Sequence, residues 1–394
     1  MDFSETDEER DLRSAVAAIA GSFGSEYYLR CAREGRHTHE LWAAMGEAGF
    51  LGVNVAEAYG GGGGGLVELS AVCEEAATQG APLLLILVSA AISAEVIGEF
   101  GSEELRKRWL PGLADGSTKV VFAITEPDAG SNTHKMATHA VRDGDDWVLN
   151  GTKHYISGTD DAEAVLVVAR SAGGARIDTA RTGRKPDGSA LLSLFVVPVD
   201  SPGLVRTPLP VDLIAPDKQH VLHFDDVRVP AGALVGAEGD GFRQVFRGLN
   251  PERITGAALG VGIARFALAK AAEYARTRQV WDVPIGAHQG VSHPLARARI
   301  ETELAALMTR KAAWLHDRGL PAGEESNMAK YAAAEAAIHA LDAAMQTHGG
   351  NGLASEYGFM PYWGMARLMQ VAPVNREMIL NHVAQHGLNL PRSY

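Results

Sequence analysis

Between Ala123 and Asn132 the chain reads Ala-Ile-Thr-Glu-Pro-Asp-Ala-Gly-Ser-Asn. The β-formers Val120-Val121-Phe122 lead in as a strand, Pro127 ends ladder pairing, and Asp128-Ala129-Gly130 forces a turn. Such a break brings bare backbone N–H groups and two hydroxyls, those of Thr125 and Ser131, up to a flat polar ligand. A second stretch, Asn150-Gly151-Thr152-Lys153-His154-Tyr155-Ile156-Ser157-Gly158, is similarly rich in hydroxyls. In the run Tyr274 to Pro284, Arg278 offers a guanidinium fork that matches a phosphate in shape and charge. Gln346-Thr347-His348-Gly349-Gly350-Asn351-Gly352 ends a helix on glycines that allow close backbone approach. His348 there reads as a helix-end residue facing the dipole, since nothing in the sequence pairs with it. Pro251-Glu252-Arg253 sets a carboxylate beside a guanidinium. Proline suits a first helical turn and glutamate is favoured there, so the same residues also read as a plain helix start. The 14 histidines are scattered, and no metal-ligand spacing emerges.

The elements that must position these residues change character twice along the chain. Thr6 to Glu9 reads as a capping box, and Leu12, Val16, Ile19 and Phe23 follow at helical spacing. Glu40–Ala48, Leu66–Gly80, a helix opened by Pro82, and one from Ser102 to Trp109 extend the helical pattern to about residue 117. The six glycines Gly60–Gly65 read as a flexible connection. From Lys119 the period becomes two, predicting strands at Val120–Thr125, Thr138–Arg142, Trp147–Leu149, Ala164–Ala169, Leu191–Val197 and His220–Phe224, with a hairpin at Asp143-Gly144. Residues 172–188 read as an exposed loop. Helical periodicity returns over Asp240–Leu249, Glu252–Gln279, Gln289–Arg318, Glu324–Thr347 and Pro373–His386. The 394 residues are 46% hydrophobic and 21% charged, which fits two or three domains with a real core. A net charge of −12 argues against nucleic acid or an anionic membrane as main partner. The apolar stretch Leu83–Gly98 is shorter than the ~20 residues of a membrane span and reads as a buried helix. Two cysteines and an acidic N-terminus fit a cytoplasmic protein.

Ala123–Asn132 and Asn150–Gly158 together resemble the flavin-binding strands of the acyl-CoA dehydrogenase family, with Asn132, Tyr155 and Ser157 standing where Asp, Trp and Thr are usual. The resemblance covers essentially the whole chain. It implies an α+β fold with an N-terminal helical domain (1–117), a central antiparallel β-barrel domain (118–230) and a C-terminal helical bundle (231–394). It further implies assembly as a homotetramer, or a dimer. It implies FAD as cofactor, held by Phe122, Ile124, Thr125, Gly130, Ser131, Tyr155 and Ser157, with Asn375 and Glu377 beside them. Arg278, Trp281, Gln289, Gln346, Gly349 and Gly350 would reach the FAD of a neighbouring subunit; Asp282 replaces the usual Gly there.

The implied reaction converts an acyl-CoA thioester to the trans-2-enoyl-CoA, with electrons leaving to an electron-transfer flavoprotein. Ser131 and Arg253 would contact the substrate. The usual catalytic Glu of a Tyr-Glu-Gly-Thr run aligns with Pro373 in Ala372-Pro373-Val374-Asn375, so no carboxylate stands there. The isovaleryl-CoA and long-chain type carries its Glu just before an Arg at the start of a long helix, which makes Glu252 the base. Proline also lacks the N–H that would polarise the thioester carbonyl. The expectation is that Pro373 begins the last helix and that Val374 or Asn375 donates instead. An oxidase or flavin monooxygenase on the same scaffold, or a non-catalytic acyl-CoA-binding flavoprotein, remains open at this point.

Overall fold

The structure, a computed structural model, describes residues 5–171 and 191–392; the predicted loop 172–188 lies outside the described residues. Helix α1 (Asp7–Glu34) starts with the expected capping box, in which the Thr6 hydroxyl accepts from the Glu9 N–H and the Glu9 carboxylate accepts from the Thr6 N–H. Helices α2 (His39–Glu47) and α3 (Leu66–Thr78) follow. A buried π-helical stretch, Ile86–Ser93, then runs into α4 (Ala94–Phe100), and α5 (Glu103–Asp115) is capped by Ser102. The run Gly60–Gly65 is not the flexible connection that its composition predicts. The amides of Gly61, Gly62, Gly63 and Gly64 donate to the carbonyls of Ala56, Gly52, Val55 and Val53, and a Cβ on Gly61 would sit 2.1 Å from the Val55 oxygen. Glycine is required there because the loop lies flat against backbone.

The middle of the chain forms one sheet from β1 (Val120–Ala123), β2 (His139–Asp143), β3 (Asp146–Ser157), β4 (Ala164–Ser171), β5 (Leu192–Pro198), β6 (Leu204–Leu209), β7 (Gln219–Pro230) and β8 (Leu234–Val235). Its order is β6-β7-β3-β2-β4-β5-β8, with β1 also laid along β4. Strands β1 and β2 run parallel to β4, and the other pairings are antiparallel. The expected closed β-barrel is not found. Among the described residues the end strands β6 and β8 do not pair, so the sheet stays open. β6 turns four of its six residues to solvent and β8 is two residues long, a blunted pair of edges rather than a seam that closes. β3 is much longer than predicted and carries the whole second hydroxyl-rich stretch up to Ser157.

The last third is helical. The two helices predicted on either side of Pro251 are a single 37-residue helix, α6 (Gly241–Thr277), with the proline inside it. This overturns the reading of Glu252 as a helix-start residue. Helix α6 is long and apolar enough to cross a bilayer, but it is packed inside the protein. Its small residues admit neighbours closely: a Cβ on Gly262 would meet the Glu74 carbonyl of α3 at 2.3 Å. A two-stranded hairpin follows, β9 (Gln279–Val280) and β10 (Val283–Pro284). Next come α7 (Gln289–Asp317), α8 (Gly323–His348), α9 (Phe359–Val371) and α10 (Arg376–His382). The final helix does not begin at Pro373. It begins at Arg376, because the Asn375 side chain accepts from the Met378 N–H and caps it.

Candidate active site

The turn after β1 is built as the sequence implies. Glu126 and Ala129 exchange backbone hydrogen bonds at 3.2 Å, which lifts Pro127 and Asp128 to the surface and leaves Gly130 and Ser131 exposed. The N–H groups of Thr125, Gly130 and Ser131 have no acceptor among the described residues, and the space beside Gly130 is open. Asn375 donates from Nδ2 to the Ser131 hydroxyl at 2.8 Å, so the N-cap of α10 sits on this turn. Across from it, β3 and β7 shift register between Lys153 and Ile156. That bulge sets Tyr155 at φ +57° and turns its ring outward, 58% exposed. Phe122 is buried in β1, and Ile124 and Thr125 are half-buried. The Ser157 hydroxyl is hydrogen-bonded to the Gln219 side chain. Glu377 is exposed and paired with Arg376 at 2.7 Å.

A second polar group lies at the ends of the long helices. Arg278 is the C-cap of α6; it is exposed, and its guanidinium has no partner among the described residues. Trp281 and Asp282 form the tip of the β9–β10 hairpin at φ +50° and +70°, the pattern of a tight two-residue turn, and Asp tolerates this conformation in place of Gly. Trp281 is 83% exposed, and Gln289 opens α7 nearby. Gln346, Gly349 and Gly350 are exposed at the end of α8, with open space beside both glycines. His348 stacks on Tyr274 at 4.2 Å and its Nδ1 donates to the Ala344 carbonyl, so it ties the ends of α6 and α8 together. No hydrogen bond joins this group to the turn at Ser131 among the described residues.

The third group is internal. Glu252 lies on α6 with one carboxylate oxygen, Oε2, sealed from solvent and without a hydrogen-bond partner among the described residues. Burial pushes its pKa up to about 7, against the pull of Arg253 and Lys330. Arg253 is buried, donates to Asn250 at 3.0 Å, and leaves its Nε without a partner among the described residues. One turn beyond Glu252, Gly256 is flanked by Leu87 of the π-helical stretch and Met369 of α9, which makes the adjoining wall apolar.

Family models for the acyl-CoA dehydrogenase N-terminal, middle and C-terminal domains match residues 6–117, 121–227 and 239–388. The chain is 55% identical to acyl-CoA dehydrogenase FadE12 of Mycobacterium tuberculosis, covering 100% of this chain and 99% of the relative. The chain belongs to the acyl-CoA dehydrogenase family. Among solved structures of the family's fold, the glutaryl-coenzyme A dehydrogenase complex with glutaryl-CoA superimposes with a TM-score of 0.92. That match is at 30% identity, over 100% of this chain and 98% of that one. Butyryl-CoA dehydrogenase from Megasphaera elsdenii gives 0.91 at 27% identity, over 99% and 100%.

The residues present fit the family's cofactor. Open backbone donors at Thr125, Gly130 and Ser131 suit the polar edge of a flavin, and the exposed Arg278 guanidinium with bare glycines suits a pyrophosphate. Several residues that shape this acyl-CoA dehydrogenase site were not singled out from the sequence. The Glu126 carboxylate accepts from the Ala137 and Thr138 N–H groups and from the fully buried Lys153 ammonium at 2.9 Å. Burial opposes its charge, but Lys153 and the Ala137 N–H hold Glu126 below the usual carboxylate range. Lys153 also donates to the Ile124 carbonyl, so this pair fixes the strand and the turn that carry the open donors. Its signal was available: each residue lies inside one of the two hydroxyl-rich stretches. Gln219 and Lys330 left none.

Proposed function

We infer that the protein is an FAD-dependent acyl-CoA dehydrogenase whose base is Glu252. The observation that carries the role of Glu252 is its buried, unpartnered carboxylate oxygen with a pKa of about 7, an environment that keeps a carboxylate basic enough to take a weakly acidic proton near neutral pH. Bound FAD supplies the two-electron acceptor. Thr125, Gly130, Ser131, Tyr155 and Ser157 hold it from one subunit; Arg278, Trp281, Gln289, Gln346, Gly349 and Gly350 reach it from another. The thioester carbonyl lies by the Pro373–Asn375 turn. There the Val374 and Asn375 N–H groups have no acceptor among the described residues and can stabilise the oxygen as charge develops on it. Ser131 and Arg253 position the CoA side, and the apolar wall of Leu87 and Met369 takes the acyl chain. The reaction releases the trans-2-enoyl-CoA.

The finer assignments rest on the same residues. A Glu immediately before Arg253 supports assigning the chain to the isovaleryl-CoA and long-chain type. The three matched segments support a division into three units, 1–117, 118–230 and 231–394. An exposed stripe on α7, Ile300, Leu304 and Leu307, is 62%, 62% and 47% accessible and suits burial in a homotetramer. Electrons leave to an electron-transfer flavoprotein, and two buried free thiols suit a cytoplasmic protein.

The test is anaerobic flavin reduction by a panel of acyl-CoAs. The wild-type flavin bleaches with at least one chain type. Glu252→Gln still binds that acyl-CoA but reduces flavin about 10²–10⁴-fold more slowly. Reduction by the variant at the wild-type rate removes Glu252 as the base.

A further inference from the structure

Helices α6 and α8 lie against each other so closely that a Cβ on Gly260 would be 3.2 Å from the Ala333 carbonyl. Glu252, Gly256 and Gly260 follow at four-residue spacing on that face of α6, and Lys330 stands one turn before Ala333 on α8. Lys330 is 2% exposed. Its ammonium donates to the Val374 carbonyl at 2.5 Å, joining α8 to the turn that precedes α10. A peptide unit is planar, with C=O and N–H on opposite sides, so fixing the Val374 carbonyl also fixes where the Asn375 N–H points: away from Lys330. The Asn375 side chain is held as well, by Ser131 on one side and the Met378 N–H on the other.

We propose that Lys330 is a positioning residue of the active site: its ammonium grips the Val374 carbonyl and thereby aims the Asn375 N–H, and the same charge faces Glu252. This rests on the reading of Glu252 as the base. One buried cation then serves both halves of the reaction, the group that takes the α-proton and the donor that stabilises the carbonyl oxygen. The charged groups acting on Lys330 are Glu252 and Arg253 from α6, Glu335 from its own helix and Glu377 from α10. Burial brings its pKa down to about 8, so it is mostly protonated where Glu252 becomes ionised.

The signs follow. Removing a cation that faces Glu252 raises the carboxyl pKa, so the acid limb of the rate profile moves to higher pH. A shift of one pH unit leaves about a tenth rather than half of the base ionised at pH 7, roughly a five-fold loss of rate there. The experiment is anaerobic flavin reduction against pH on FAD-loaded wild type, Lys330→Met, Lys330→Gln and Lys330→Arg. Alongside it, the protonated-carboxyl infrared band that disappears in Glu252→Gln is titrated.

Lys330→Met is expected to shift both the limb and the band upward and to lower the plateau rate. Lys330→Gln keeps a donor for Val374 without charge; it shifts limb and band but retains more of the plateau, and it decides the matter if Lys330→Met does not fold. Lys330→Arg keeps the wild-type profile. An unshifted band and limb in the uncharged variants overturns the proposal while leaving Glu252 as base. A fully active Glu252→Gln overturns the underlying reading instead.

Discussion

Glu252 holds a position that a stability-driven choice would fill with something else. Its carboxyl titrates at about 7 in the folded chain against an ordinary 4.5, chiefly because burial penalises the charge. An acid with a raised folded pKa makes the native state hold its proton longer than the unfolded chain does. Stability therefore falls as pH climbs from about 4.5 to about 7 and stays lowered above. Glu252→Gln removes that fall. The variant should be more stable than wild type by about 3 kcal/mol at pH 8 and no more stable below pH ~4.5, by urea unfolding at the two pH values. A variant that gains stability while losing flavin reduction marks a residue kept for chemistry.

At the scale of elements, steric space at individual glycines separates structural need from tolerance. Gly61→Ala drives a methyl into the Val55 carbonyl and should cost about 1–3 kcal/mol. Gly98, inside α4 with nothing within 4 Å of a Cβ, should gain about 0.5–1 kcal/mol on the same change. Thermal melts of the two variants read opposite signs. The same contrast explains what the sequence made legible. Local signals were faithful: the Thr6–Glu9 box, the strand–Pro127–turn break and the helical periods of α7 and α8 all depend on neighbours in the chain. Signals that needed a distant partner misled or stayed silent. Pro251 reads as a helix start, yet packing carries α6 straight through it, and the Thr255 hydroxyl donates to its carbonyl at 2.8 Å. The glycine run reads as a linker because its acceptors, Gly52 to Ala56, look like any other residues. β6 is exposed and contains Pro208, so only its pairing with β7 makes it a strand. α9 begins on Phe359-Met360-Pro361 after Gly358, where breaker residues mask the periodicity. Within the candidate site, the sequence singled out Ser131 and Asn375, which the structure joins by a hydrogen bond, but it gave no sign of Lys330, because its acceptor Val374 is 44 residues away.

Over the whole molecule, the N-terminal helices are pinned to the sheet just beyond the end of β3. His37 meets Asp160 at 3.0 Å, with Asp161, His39, Lys119, Lys218 and His220 around the pair and Asp217, held up to about 6 by burial, also facing it. The Asp160 hydrogen bond raises His37, so its contribution is full below the unfolded value near 6.5 and fades as pH rises through its folded pKa. Burial opposes the Asp160 charge, yet His37 depresses its pKa overall, so its contribution is lost as pH falls below about 4. His37→Gln should cost about 1–2 kcal/mol near pH 5.5 and progressively less at higher pH, read from melting curves across that range. The long helix α6 has a different reach. It carries Glu252 about a third of the way along and Arg278 at its C-cap, about 39 Å apart at 1.5 Å per residue. If the first serves the chain's own site and the second a neighbour's, the protein should show complementation between two dead alleles. Subunits bearing only Glu252→Gln and subunits bearing only Arg278→Ala, co-expressed with different tags, form mixed pairs. In each such pair one site inherits both lesions and the other inherits neither. Random pairing then restores about a quarter of wild-type turnover in the doubly tagged fraction's parent pool, from two proteins that are each inactive alone.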